Sequence, residues 1–144
     1  MKLEEIIELW KEDAKLDDLN LDMEVKRIPS MHAKYLDYLS TSRIAFRELS
    51  IKKKITQKKL YTYYEGTCNE LELADLKREQ YQKRIIKSEL SSYVEQDQLI
   101  LEIDYKLGLL QEKIDVLNEI IKSLNNRSFQ IKNIIDFRKL MAGG

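Results

Sequence analysis

The chain has 144 residues, 35% of them charged, with only four glycines and one proline and a mean hydropathy of −0.49. That length suits one domain or one elongated unit and supplies a core, but the scarcity of turn residues argues against a compact α/β enzyme and for long helices with broad solvent-facing surfaces. Formal net charge is zero, yet residues 1–25 carry −6 and residues 26–64 carry +8, so the isoelectric point says little about what the protein binds. Cys68 is the only cysteine, which excludes an intrachain disulfide or a thiolate metal site within one subunit and suits a reducing cytosol.

The N-terminus, Met1-Lys2-Leu3-Glu4-Glu5, is acidic where a signal peptide would be basic. No apolar run approaches the about 20 residues that span a bilayer, so a soluble cytoplasmic protein without membrane contacts is expected. Residues 2–14 place Leu3, Ile6, Ile7 and Trp10 on one face, an amphipathic helix of about three turns that persists only if it docks within the subunit or on a partner. Residues 15–28 read as a connector pinned by Leu16, Leu19 and Leu21. Pro29 disfavours helical geometry at Ile28, so a long helix is expected from Pro29 or a Ser30 cap to about residue 65. Its packing seam runs through Met31, Tyr35, Tyr38, Ser42, Ala45, Leu49, Thr56, Leu60 and Tyr63, with Lys52 interrupting it.

Within that helix, residues 52–64 bring Lys52, Lys53, Lys54, Lys58 and Lys59 together with Tyr61, Tyr63 and Tyr64, without a carboxylate among them. At about 100° per residue, Lys54, Lys58 and Tyr61 share one stripe and Lys52, Lys59 and Tyr63 another. Cations beside flat rings suit single-stranded nucleic acid, which offers phosphates next to unstacked bases. The competing reading is a solvated lysine face whose tyrosines pack inside an oligomer, and composition leaves both open. Arg43 and Arg47, upstream on the same helix, complete the candidate nucleic-acid contacts.

Gly66 and Asn69 read as a helix end and the next N-cap. Residues 70–90 are expected to be helical, with a second basic patch at Lys77, Arg78, Lys83, Arg84 and Lys87. Residues 93–124 follow as a strongly periodic helix, in which Gly108 would permit a close helix crossing. A break at Asn125-Asn126-Arg127-Ser128 then leads to a short last helix, 129–141. Phe129, Ile131, Ile134, Ile135, Phe137, Leu140 and Met141 make it apolar on more than one side, which points to self-association, with burial in a helical core as the alternative.

A single histidine, His32, leaves no parts for a triad or a histidine metal site, and no glycine-rich phosphate loop exists. Glu102 with Asp104 and Asp115 with Glu119 read as solvated helix faces rather than acid and base pairs, so neither an enzyme nor a cofactor is expected.

Several stretches together resemble the UvsY recombination mediator family of T-even-type bacteriophages: the opening Met1 to Glu5, Lys34-Tyr35-Leu36, the basic run ending in Tyr63-Tyr64-x-Gly66, and the tail Arg127-x-Phe129-x-Ile131-Lys132-x-Ile134-x-Asp136-x-Arg138, closing with Ala142-Gly143. The resemblance implies a non-enzymatic protein that binds single-stranded DNA, contacts a single-strand-binding protein and a RecA-like recombinase, and helps the latter displace the former. It implies rings of six or seven subunits in the host cytoplasm. Residues 1–66 would form an N-terminal helical region with the DNA-binding helix, and residues 67–144 a C-terminal region for packing and oligomerisation. The expected fold is all-α: an elongated subunit with long helices and a short C-terminal helix, assembling into a ring-like homo-oligomer. In the family's DNA-binding stretch, a lysine matches Lys58 and an arginine falls where this chain has Leu60; Lys59 and Lys52 to Lys54 are the candidates to replace its charge. The rival class is a coiled-coil scaffold or adaptor with protein partners only.

Overall fold

The structure, a computed structural model, describes residues 1–143 and is all-α. Its helices are α1 (Leu3–Asp13), α2 (Leu21–Glu65), α3 (Glu70–Leu76), α4 (Leu90–Glu95, after a 3-10 turn at Lys87–Glu89) and α5 (Gln98–Met141). The chain forms two compact units, and α2 and α5 contribute to both: residues 1–44 with the chain from Leu110 on, and Ala45–Leu109. The division cuts across the two functional regions expected from the sequence. Among the described residues no helix is long and apolar enough to cross a membrane, and no cluster of His, Cys, Asp and Glu could hold a metal ion.

In the first unit α1 docks within the subunit. Ile6 is buried and Leu3, Ile7 and Trp10 half-buried, and the Trp10 ring meets Tyr35 edge-on at 5.6 Å. Met31, Tyr35, Leu39 and Ser42 of α2 are buried, as are Ile114, Leu117, Ile120, Leu124 and Ile131 of α5; both rows advance by threes and fours, the period of packed helices. Arg127 sits inside the α5 row. Its guanidinium donates to the carbonyls of Asp13 (3.1 Å), Ala14 (3.2 Å) and Lys15 (2.9 Å), which satisfies oxygens that the end of α1 leaves open. It also lies 3.6 Å from the buried Glu24 carboxylate, whose other oxygen accepts the Asp17 N–H at 3.3 Å. Burial alone would raise the Asp13 pKa, but bonds from Lys34 and the Tyr35 hydroxyl, with the charges of Lys34 and Arg27, hold it below the usual carboxylate range.

These contacts correct two boundaries. The helix expected from Pro29 starts at Leu21, so part of the expected connector is helical and Pro29 lies inside α2. Glu24, held by Arg127 and Arg27, keeps the turns before the proline in place despite the backbone bond that proline forfeits. Ser30 is no cap; its hydroxyl donates to the Arg27 carbonyl at 3.1 Å. The break expected at 125–128 is also absent, because Leu124, Arg127 and Ile131 are buried in one continuous row, so there is no separate short C-terminal helix. Gly108 crosses nothing: a Cβ there would meet no atom within 4 Å.

In the second unit Leu60, Val94 and Ile100 form the core, with Tyr64, Leu76 and Leu99 packed around it. The helix expected over 70–90 ends at Leu76. Lys77 adopts a left-handed conformation (φ 56°), with the Lys77 and Arg78 N–H groups bonded back to Ala74 and Leu73, the usual closure of a helix by a left-handed residue. Three side chains then take residues 78–81 away from a helical path: Arg78 reaches Asp97, Gln80 donates to the Gly66 carbonyl, and Tyr81 enters a tyrosine cluster. The helix expected from residue 93 is interrupted at Gln96 and Asp97, where the Asp97 carboxylate accepts the Leu99 N–H at 2.9 Å and starts α5.

Arg127→Ala leaves buried Glu24 with Arg27 alone as its cation and three carbonyls without their donor; we expect a loss of about 3 kcal/mol in urea unfolding, only partly recovered by lysine.

Candidate nucleic-acid interface

The second part of α2 is anchored by Leu60, which is fully buried against Val94 and Ile100, and this anchoring decides which side chains point outward. Arg47, Lys54, Lys58 and Tyr61 are exposed, and their spacings of seven, four and three residues put them on one side of the helix. None of these cations has a carboxylate within ion-pair distance among the described residues. Ile51 and Ile55, 58% and 52% exposed, lie beside them. Sequence reasoning passed over these two, although their i, i+4 spacing outside the packing seam was the available signal.

The second stripe behaves differently. Lys59 pairs with Asp75 of α3 at 2.5 Å, and Lys53 with Asp104 of α5 at 2.7 Å. Lys52 is exposed and, with Lys59 and Lys106, lines a shallow groove beside α3 and α5. Tyr63 is half-buried, its ring 5.0 Å from Tyr64 and 5.4 Å from Tyr81, with the Arg78 guanidinium 5.0 Å from its centroid. Arg43 belongs to the first unit, where it is exposed and donates to Asn118 at 3.5 Å. Of the nine expected DNA contacts, therefore, Arg47, Lys54, Lys58 and Tyr61 form a free solvent face, Lys52 borders a groove, and Lys53, Lys59, Tyr63 and Arg43 also hold the subunit together.

Behind Tyr63 lies a network that the sequence did not announce, because its members are far apart in the chain. Asp97 is sealed at the junction of α4 and α5; its carboxylate accepts two bonds from Arg78 (2.6 and 2.8 Å) and one from the Tyr64 hydroxyl (2.6 Å). Burial would raise its pKa, but these donors and the Leu99 N–H hold it below 3.8. Its stabilising contribution is thus complete above that range and lost as pH falls through it. The Tyr64 phenol is pushed up to about 12, first by burial and then by its bond to Asp97. Its contribution is complete below the ordinary value of 10.0 and lost as pH rises through about 12. Tyr64→Phe should cost about 1 to 3 kcal/mol at neutral pH and flatten the alkaline limb of a stability profile between those two values, read by circular dichroism.

The family model described as recombination, repair and single-stranded-DNA-binding protein UvsY matches residues 9–144. The recombination protein uvsY of Enterobacteria phage T4 is 26% identical over 143 residues, covering 99% of both chains. A crystal structure of the bacteriophage T4 recombination mediator protein UvsY superposes with a TM-score of 0.85 at 25% identity, over 99% of this chain and 98% of that one; a second lattice form gives 0.83 at 23%. The arginine that the resemblance implies at Leu60 would here enter the core. Leu60→Arg is therefore expected to lower unfolding stability by about 3 kcal/mol or more without a gain in DNA affinity, and native stability with tighter binding would contradict this. With the whole helical architecture and nearly the full length in common, the chain belongs to the UvsY family of recombination, repair and single-stranded-DNA-binding proteins.

Proposed function

We propose that the chain is a recombination mediator. It holds single-stranded DNA on the outer face of α2 and promotes loading of a RecA-like recombinase onto DNA coated by single-strand-binding protein. The observation that carries this reading is the face of Arg47, Lys54, Lys58 and Tyr61, which is open to solvent and whose cations make no ion pair among the described residues, in a chain of the UvsY family. Phosphates supply the counter-charge that the fold withholds there, and Tyr61 offers a ring to an unstacked base.

One such face makes few contacts, so affinity has to come from repetition. Phe129, Phe137, Leu140 and Met141 project from one side of the end of α5, 62 to 71% exposed, with Ile134 half-buried and Ile135 at the margin. We assign this apolar surface to self-association into a ring of six or seven copies, in which effective concentration turns weak contacts into avidity. Ile131 is buried inside its own subunit, so it serves the monomer's core and not that surface.

The test is titration of fluorescent oligo-dT across salt concentrations. The expected slope of log K against log salt is about −0.7 per neutralised phosphate, made shallower by Lys54→Ala with Lys58→Ala at unchanged oligomer mass. Phe137→Asp with Met141→Asp should lower the mass first and the affinity with it. A flat salt dependence, or equal competition by double-stranded DNA, would instead favour a scaffold whose partners are all proteins.

A further inference from the structure

The stretch after α3 has no part in the reading above, although it holds the second basic patch. Tyr81, Lys83, Arg84 and Lys87 of this stretch, with Tyr64 and Glu65 of α2, line an open cleft of about 680 Å³. That volume is in the range of small-ligand sites. The lining sets three cations against one carboxylate. Lys83, Arg84 and Lys87 are all exposed, and none is within ion-pair distance of a carboxylate among the described residues.

The aromatic side of the cleft is already ordered. The Tyr81 ring lies 5.0 Å from Tyr64, which in turn lies 5.7 Å from Tyr93. Asp97 fixes the Tyr64 hydroxyl, and Gln80 ties the loop to the Gly66 carbonyl at the end of α2. Gly66 itself takes a left-handed φ of 77°, the turn that brings the loop back along the helix. A ligand would meet rings that are held before it arrives, which lowers the ordering cost of binding. An anion alone would have no use for the rings, and a base inside a duplex could not reach them. Glu65, which lines the cleft, follows Tyr61 by four residues on the same side of α2, so the cleft opens one turn beyond the α2 face.

We propose that this cleft is a second contact for the same single strand, with a backbone phosphate on Lys83, Arg84 and Lys87 and an unstacked base against Tyr64 and Tyr81. The proposal rests on the single-stranded-DNA reading above. The experiment compares four full-length proteins by oligo-dT titration across salt: the unsubstituted chain, the Lys54→Ala, Lys58→Ala variant, a cleft variant (Lys83→Ala, Arg84→Ala, Lys87→Ala), and a control (Lys2→Ala, Lys26→Ala, Lys122→Ala) that removes as much charge from other exposed positions.

The cleft variant should lose about 0.7 from the magnitude of the salt slope for each cleft phosphate no longer neutralised, and cover fewer nucleotides per subunit, while the control keeps the slope of the unsubstituted chain. A cleft variant with an unchanged slope overturns the proposal, as does a control that loses as much. If the α2 variant alone weakens binding, the cleft fails and the mediator reading stands; if no protein shows salt-dependent binding, both fail.

Discussion

A buried carboxylate needs donors, and in this protein that requirement organises the second unit. Asp97 collects Arg78, Tyr64 and the first turn of α5 around itself, and in doing so it ends α4, starts α5 and draws the stretch after α3 out of helical geometry. Left unpaired, such a group would cost several kcal/mol, so local helix propensity over 77–86 loses to it. The same carboxylate gives the tyrosine cluster its fixed end. The bends of the second unit follow from where this charge had to be satisfied.

Other carboxylates sort the remaining cations. Asp104 takes Lys53 and Asp75 takes Lys59, while Arg47, Lys54 and Lys58 are left to solvent. The two pairs are not equivalent to a buried one. Lys59 and Asp75 are both about half exposed, so their attraction is worth no more than about 1 kcal/mol and a phosphate can compete for the lysine. Basic residues adjacent in sequence thus separate into a free row and a reserve row, and the helix that presents them is held from behind by Leu60.

Much of this was legible in the sequence. The seam through Met31, Tyr35, Ser42 and Leu60 follows from spacing alone, and all four are buried. The exposed stripe of Lys54, Lys58 and Tyr61 follows from the same arithmetic. What the sequence hid was long-range. Pro29 read as a helix start because its backbone preference is local, whereas Glu24, which keeps the preceding turns helical, answers to Arg127 a hundred residues away. Arg127 read as part of a break because it is polar, yet its fork of donors is what the end of α1 lacks. Ile131 read as an association residue because an apolar side chain near the chain end does not say which side of its helix is already covered.

If intramolecular ion pairs decide which lysines meet DNA, lysine acetylation followed by mass spectrometry, with and without oligo-dT, will show it. Lys54 and Lys58 should then be modified rapidly in the free protein and become protected by the oligonucleotide, while Lys53 is slow to react and unchanged by it. Equal protection of Lys53, or protection confined to lysines of the first unit, would contradict it.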